Sequence, residues 1–179
     1  MKRILVLALG LLVVPAAASA QLELGLDAGV AVTSFDDVGG FSSDSQTEID
    51  IPTHWARLGF AAGETIMVET LVSVEYGKEG DESAMSLLLL PGINFLLGEQ
   101  FYVRGEAGLS YVSVDPGTGS LSGTQYIFGG AAGLRVPLGD MAIFRAEAGV
   151  ARLTEVDSDF FIPSGIVIRG GVGISAIIG

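Results

Sequence analysis

A chain of 179 residues has room for one domain, and without cysteine it can form neither disulfides nor a thiolate metal site or nucleophile. Its 21 acidic and 9 basic residues leave a net charge of −12 and no basic patch, which argues against nucleic-acid binding because phosphate contacts need Lys and Arg. Glycine, at 26 residues, is about twice its usual share.

Residues 1–20 read as a cleaved secretory signal peptide. Lys2 and Arg3 form a basic start, Ile4 to Val14 an apolar run, and Ala18-Ser19-Ala20 the small residues that a signal peptidase needs. The run falls short of the roughly 20 residues of a transmembrane helix, although a retained N-terminal anchor is the alternative. Cleavage would remove two basic residues and leave 7 against 21 acidic, a net of −14, in a single domain over 21–179.

From Gln21 onward the sequence alternates with period two, as strands between two different media do. Leu22, Leu24, Leu26, Ala28, Val30 and Val32 oppose Glu23, Gly25, Asp27, Gly29, Ala31 and Thr33. Around 49–60, Pro52 predicts a bulge or a strand end, after which Leu58 and Phe60 oppose Arg57 and Gly59. Ile66, Val68, Thr70, Val72, Val74 and Tyr76 oppose Met67, Glu69, Leu71, Ser73 and Glu75. The segment 84–97 is apolar on both faces through Leu87 to Leu90, so its facing is open. The split returns from Phe101 to Tyr111, from Gln125 to Val136, from Ala142 to Val150 and from Ile166 to Ala176, which makes eight strands.

The connections alternate too. Asp36 to Thr47, Gly77 to Glu82, Asp115 to Thr124 and Thr154 to Pro163 read as longer polar loops. Between them lie tight joints at Ala62-Gly63-Glu64, Gly98-Glu99-Gln100 and Gly139-Asp140. That rhythm predicts an all-β, eight-stranded antiparallel up-and-down transmembrane β-barrel, with short periplasmic turns and both termini periplasmic. A soluble lipocalin-like carrier of an apolar ligand shares the strand count with its apolar face turned inward. Here the polar face is rich in Gly, Ala and Ser, which suits the crowded inside of a narrow barrel better than a surface in water.

That inner face carries nearly balanced charges: Glu23, Asp27, Glu69, Glu75, Glu106 and Glu147 against Arg57, Arg104, Arg135, Arg145 and Arg169. Several lie four to seven residues from a tight joint, so they should share a height and form a belt of ion pairs across the lumen. Buried charges are tolerated only when paired. The belt is therefore read as a structural plug in place of a hydrophobic core, ahead of a proton or ion path, and no general porin is expected. Trp55, Tyr76, Phe101, Tyr111, Tyr126 and Phe144 are the candidates for the interfacial aromatic girdles.

With these features the chain resembles the small eight-stranded outer-membrane barrels, such as the OmpA transmembrane domain and the OmpX-like proteins. Arg57-Leu58-Gly59-Phe60, Tyr102-Val103-Arg104 and Arg145-Ala146-Glu147-Ala148-Gly149 look like segments of generic porin-family outer membrane β-barrel proteins. The resemblance covers the mature chain and implies a place in the bacterial outer membrane, contact with its lipids and insertion by the barrel-assembly machinery. Members commonly end in an aromatic residue, whereas the last residues here are Ile177-Ile178-Gly179.

Little in the sequence points to chemistry. His54 is the only imidazole, no serine is tied to it by a local motif, and it is read as a rim or lumen residue. Asp36, Asp37 and Asp44, then Glu79, Asp81 and Glu82, then Glu155, Asp157 and Asp159 could contact cations from the loops. They lack the spacing of a calcium-binding loop, and neither a resident metal nor a cofactor is expected. Phe41, Phe160 and Phe161 could mark an adhesive loop surface or pack the loops together. The glycine pairs at 39–40, 129–130 and 170–171 lack the lysine and helix of a phosphate cradle. The expected function is a non-enzymatic, monomeric envelope-structural or surface-loop role in adhesion or interaction. A narrow channel for small or apolar solutes comes next, then a lipid-modifying enzyme, then the soluble carrier.

Overall fold

The computed structural model describes residues 21–35, 47–117, 119–158 and 164–178, with only the backbone described at 50–53 and 155–158. Eight antiparallel strands follow one another around a closed barrel. They are β1 (Leu22–Phe35), β2 (Thr47–Ala61), β3 (Ile66–Glu79), β4 (Glu82–Leu97), β5 (Phe101–Asp115), β6 (Leu121–Pro137), β7 (Ala142–Ser158) and β8 (Gly165–Ile178). Closure comes from β8 returning to β1, with Leu22 opposite Ile178 and Phe35 opposite Gly165, so no strand is left at an edge of the sheet.

The period-two pattern decides which way each wall residue points. Leu26 and Ile174 on the outer face are mostly exposed, whereas their neighbours Asp27 and Ser175 are buried in the lumen. Apolar side chains therefore face outward and polar ones inward, the reverse of a water-soluble fold and the arrangement that a bilayer selects. The ambiguous segment resolves in β4, where Leu88, Leu90 and Asn94 lie on the inner face and Met85, Ile93, Phe95 and Leu97 are exposed outside. Register settles this, since Leu90 stands opposite Leu71 and Asn94 opposite Met67, both inward residues.

Pro52 does sit at a bulge. Gly29 pairs with Thr53 but Ala31 pairs with Asp50, so β2 carries one extra residue opposite Val30. The barrel is narrow enough that inward positions must be small where a large neighbour crosses them. A Cβ added at Gly173 would lie 1.7 Å from Asp27 Oδ1.

The loop boundaries need correction. Gly77 to Glu82 is not a long loop: β3 runs to Glu79, β4 starts at Glu82, and Gly80-Asp81 alone turn the chain. Gly80 has φ 60°, at the first turn position, which glycine fills without strain. Likewise β5 reaches Asp115, β6 begins at Leu121, β7 continues to Ser158 and Thr47 already belongs to β2. Beyond the bilayer both faces of a strand meet water, so polar residues there are compatible with continued pairing.

Candidate functional site

The strands bring ten of the eleven predicted belt residues into one connected cluster, five acids and five arginines with no net charge. Glu69 on β3 is its hub. One carboxylate oxygen takes hydrogen bonds from Arg57 and, at 2.5 Å, from Arg104; the other lies 3.2 Å from Arg145. Arg57 also donates to Asp27 through Nε at 2.7 Å, and Arg145 donates to Glu23 through Nε at 2.7 Å. Arg135 donates to the other oxygen of Glu23 at 2.8 Å. Higher in the barrel Arg169 holds Glu106 through two nitrogens, both at 2.6 Å, and reaches Glu147 at 3.2 Å. Arg104 closes the circuit, with Nε 3.0 Å from Glu106 and an Nη donating to the Leu90 carbonyl at 2.8 Å.

The belt side chains come from seven strands, with Glu23 and Asp27 on β1, Arg57 on β2, Glu69 on β3, Arg104 and Glu106 on β5, Arg135 on β6, Arg145 and Glu147 on β7 and Arg169 on β8, and β4 joins through the Leu90 carbonyl. Glu69 and Arg145 are each only 1% exposed, so these charges have exchanged water for one another. Desolvation costs several kcal/mol per ion, and only such multiple charge-assisted contacts can offset it. Glu75 does not join. It lies on the inward face nine residues above the start of β3, and there it is exposed. Parity predicted its face correctly, but height places it beyond the buried section.

Two features of the lumen have no counterpart in the sequence reading. Tyr102, 1% exposed, donates from its hydroxyl to Glu147 at 2.7 Å, and the Arg145 guanidinium lies 5.6 Å from its ring centre. Above the charges sits an apolar plug of Trp55, Leu71, Leu90, Ile127, Ala151 and Leu153, with Phe35, Leu88 and Val167 packed against it. Trp55 was a girdle candidate and is instead 8% exposed inside the lumen, its ring over Gly29 and Gly171. It shares the face of Arg57 two residues on, the parity that should have placed it there. Tyr76, Phe101 and Tyr126 do stand exposed, on the outer wall. Between belt and plug, bordered by Asp27, Trp55, Arg57, Leu71, Arg145, Glu147 and Arg169, the cavity measures about 10 Å³, at most the room for one water.

His54 is exposed on the outer wall, opposite Ala28, and is neither a rim nor a lumen residue. Glu79, Asp81 and Glu82 are exposed around the β3–β4 turn. Among the described residues no three His, Cys, Asp or Glu side chains are grouped to hold a metal ion. Asp36, Asp37, Asp44 and Asp159 lie outside the described residues, as do Phe41, Phe160 and Phe161, and the side chains of Glu155 and Asp157 are likewise not described.

Comparison with known proteins agrees with this architecture. The chain is similar in fold to Ail, the attachment invasion locus protein of Yersinia pestis, at TM-score 0.53 and 14% identity, covering 87% of this chain and 98% of that one. It is equally similar to Neisserial surface protein A, NspA, at TM-score 0.53 and 14% identity over 88% and 98% of the two chains. No curated relative matches the sequence. A family model described as outer membrane protein beta-barrel domain matches residues 4–174. With that match spanning nearly its whole length, the chain belongs to the outer membrane protein β-barrel domain family and so to the bacterial outer membrane.

Proposed function

We propose that this protein is a non-enzymatic outer-membrane barrel that acts through its surface, as an envelope-stabilising or attachment element, and carries no solute through its lumen. The observation behind this reading is the packed lumen, where among the described residues the cavity bordered by both belt and plug measures about 10 Å³. An eight-stranded barrel is only wide enough for side chains to fill, and here both charged and apolar side chains fill it. A second observation concerns length. Crossing the membrane takes roughly 9–11 strand residues, whereas these strands run to 14–17. The surplus stands as a wall above the bilayer that ends in the exposed β3–β4 hairpin.

In this reading the tight-turn end and both termini are periplasmic, residues 1–20 are removed on export, and the assembly machinery inserts a monomer among outer-membrane lipids. The belt residues are structural. His54, on the outer wall, has no catalytic part, so His54→Ala should leave any lipid acyl hydrolysis or transfer by the purified barrel unaltered. The functional test displays the chain in the outer membrane of a bacterial host. It is compared there with a variant whose hairpin tip, 77–82, is shortened to a two-residue turn. Small-solute uptake should match the empty-vector control for both, while attachment or envelope integrity should differ between them. Uptake above the control, or identical behaviour of the two chains in both surface assays, would contradict the proposal.

A further inference from the structure

Among the polar atoms of the belt that lack a hydrogen-bond partner, two belong to side chains lining one cavity. Asp27 uses a single carboxylate oxygen, Oδ2, for both of the hydrogen bonds it takes from Arg57. Among the described residues its other oxygen, Oδ1, accepts no hydrogen bond, and Arg145 Nη1 donates none. Asp27 is 6% exposed and Arg145 1%, so bulk water reaches neither. A buried charged group that forgoes a hydrogen bond has given up its hydration without return, and such groups are rare in folded proteins.

Register brings the two side chains to one level of the lumen. Gly173 on β8 stands opposite Asp27 on β1 and opposite Arg145 on β7, so the glycine lies between them on the inner face. Asp27 Oδ1 leans over it, since a Cβ added at Gly173 would lie 1.7 Å from that oxygen. Gly173 also lines, with Asp27 and Arg145, the cavity of about 10 Å³ beneath the plug. That volume admits one molecule the size of water and nothing larger.

We propose that this cavity holds one structural water, which donates a hydrogen bond to Asp27 Oδ1 and accepts one from Arg145 Nη1. The charges around it select a neutral molecule. A cation would face Arg57, Arg145 and Arg169, and an anion would face Asp27 and Glu147. An apolar guest would leave donor and acceptor unmet, whereas a water supplies both, as buried waters do for polar groups without partners. Held there, the water links β1 to β7 across β8, beside the seam where the barrel closes. Gly173 is then a position that must carry no side chain.

The mature chain, folded and crystallised from a lipid mesophase, tests this at a resolution where ordered waters are visible. Wild-type density should contain one peak within hydrogen-bond distance of both Asp27 Oδ1 and Arg145 Nη1. Crystals grown in rubidium bromide should give no anomalous signal at that peak, because neither ion suits the site. Gly173→Ala brings a methyl between the two groups and should remove the peak. Gly105→Ala, with nothing within 4 Å of its added carbon, should keep it. If Gly173→Ala fails the heat-modifiability check for a folded barrel, the wild-type crystal decides alone. Wild-type density without the peak, whether or not a protein donor turns onto Asp27 Oδ1, would overturn the proposal. So would a rubidium or bromide signal at the site, or a peak that Gly173→Ala leaves unchanged.

Discussion

The lower and upper halves of the lumen solve one packing problem with opposite chemistry. Below, ten charges are matched so closely that Glu69 alone serves three arginines. Above, Trp55, Leu71, Leu90, Ile127 and Leu153 fill the same cross-section without a charge. The difference lies in how each layer fails. A charged layer holds only while every member has its counterpart, because a lone buried ion cannot recover its lost hydration. An apolar layer loses contacts in proportion to the volume removed and relaxes partway into the gap.

Glu69→Gln should therefore have the largest effect, about 3–5 kcal/mol of lost stability, by leaving Arg57, Arg104 and Arg145 short of an anion. Urea titration of the folded barrel in lipid vesicles, followed by gel mobility without boiling, measures it; a loss below that of the plug variant would erase the contrast. Leu71→Ala opens a cavity in the plug and should cost about 2–3 kcal/mol in the same titration. Tyr102 packs within the belt, so Tyr102→Phe, which removes only the hydroxyl donated to Glu147, should cost roughly 1.5 kcal/mol. Glu75→Gln is the control, on the same face as Glu69 but exposed, and its shift should stay within about 0.5 kcal/mol. A large effect there would mean that the belt extends higher than its ion pairs indicate.

How much of this could be read from the sequence depends on how local the signal is. Facing is local: Glu69, Arg104 and Arg145 alternate with outward apolar residues, so the inner face and the barrel class followed from period two and the tight joints. Height is less local. Counting from the turns brought Arg57, Glu69 and Arg145 together, but nothing in the Glu75 segment marks where the lumen stops being buried. Partner choice is not local at all, since Glu23 meets Arg145 across 122 residues through closure of the barrel. The plug escaped notice because parity put Leu71 and Ile127 on the inner face among charged and small residues, and nothing local shows that they meet Trp55 and Leu153 at one height. Trp55 was misassigned because tryptophan in a barrel strand suggests an interface. The β3–β4 hairpin escaped because Lys78, Glu79, Asp81 and Glu82 are as polar as a loop, whereas above the membrane a polar strand costs nothing.

The decisive measurement is current through planar bilayers containing the purified, heat-modifiable barrel. A lumen closed by both layers predicts no steady conductance above the detergent control at any holding potential. Stable unitary steps from the folded wild-type chain would mean that water and ions pass between belt and plug, and the closed-lumen account would be wrong.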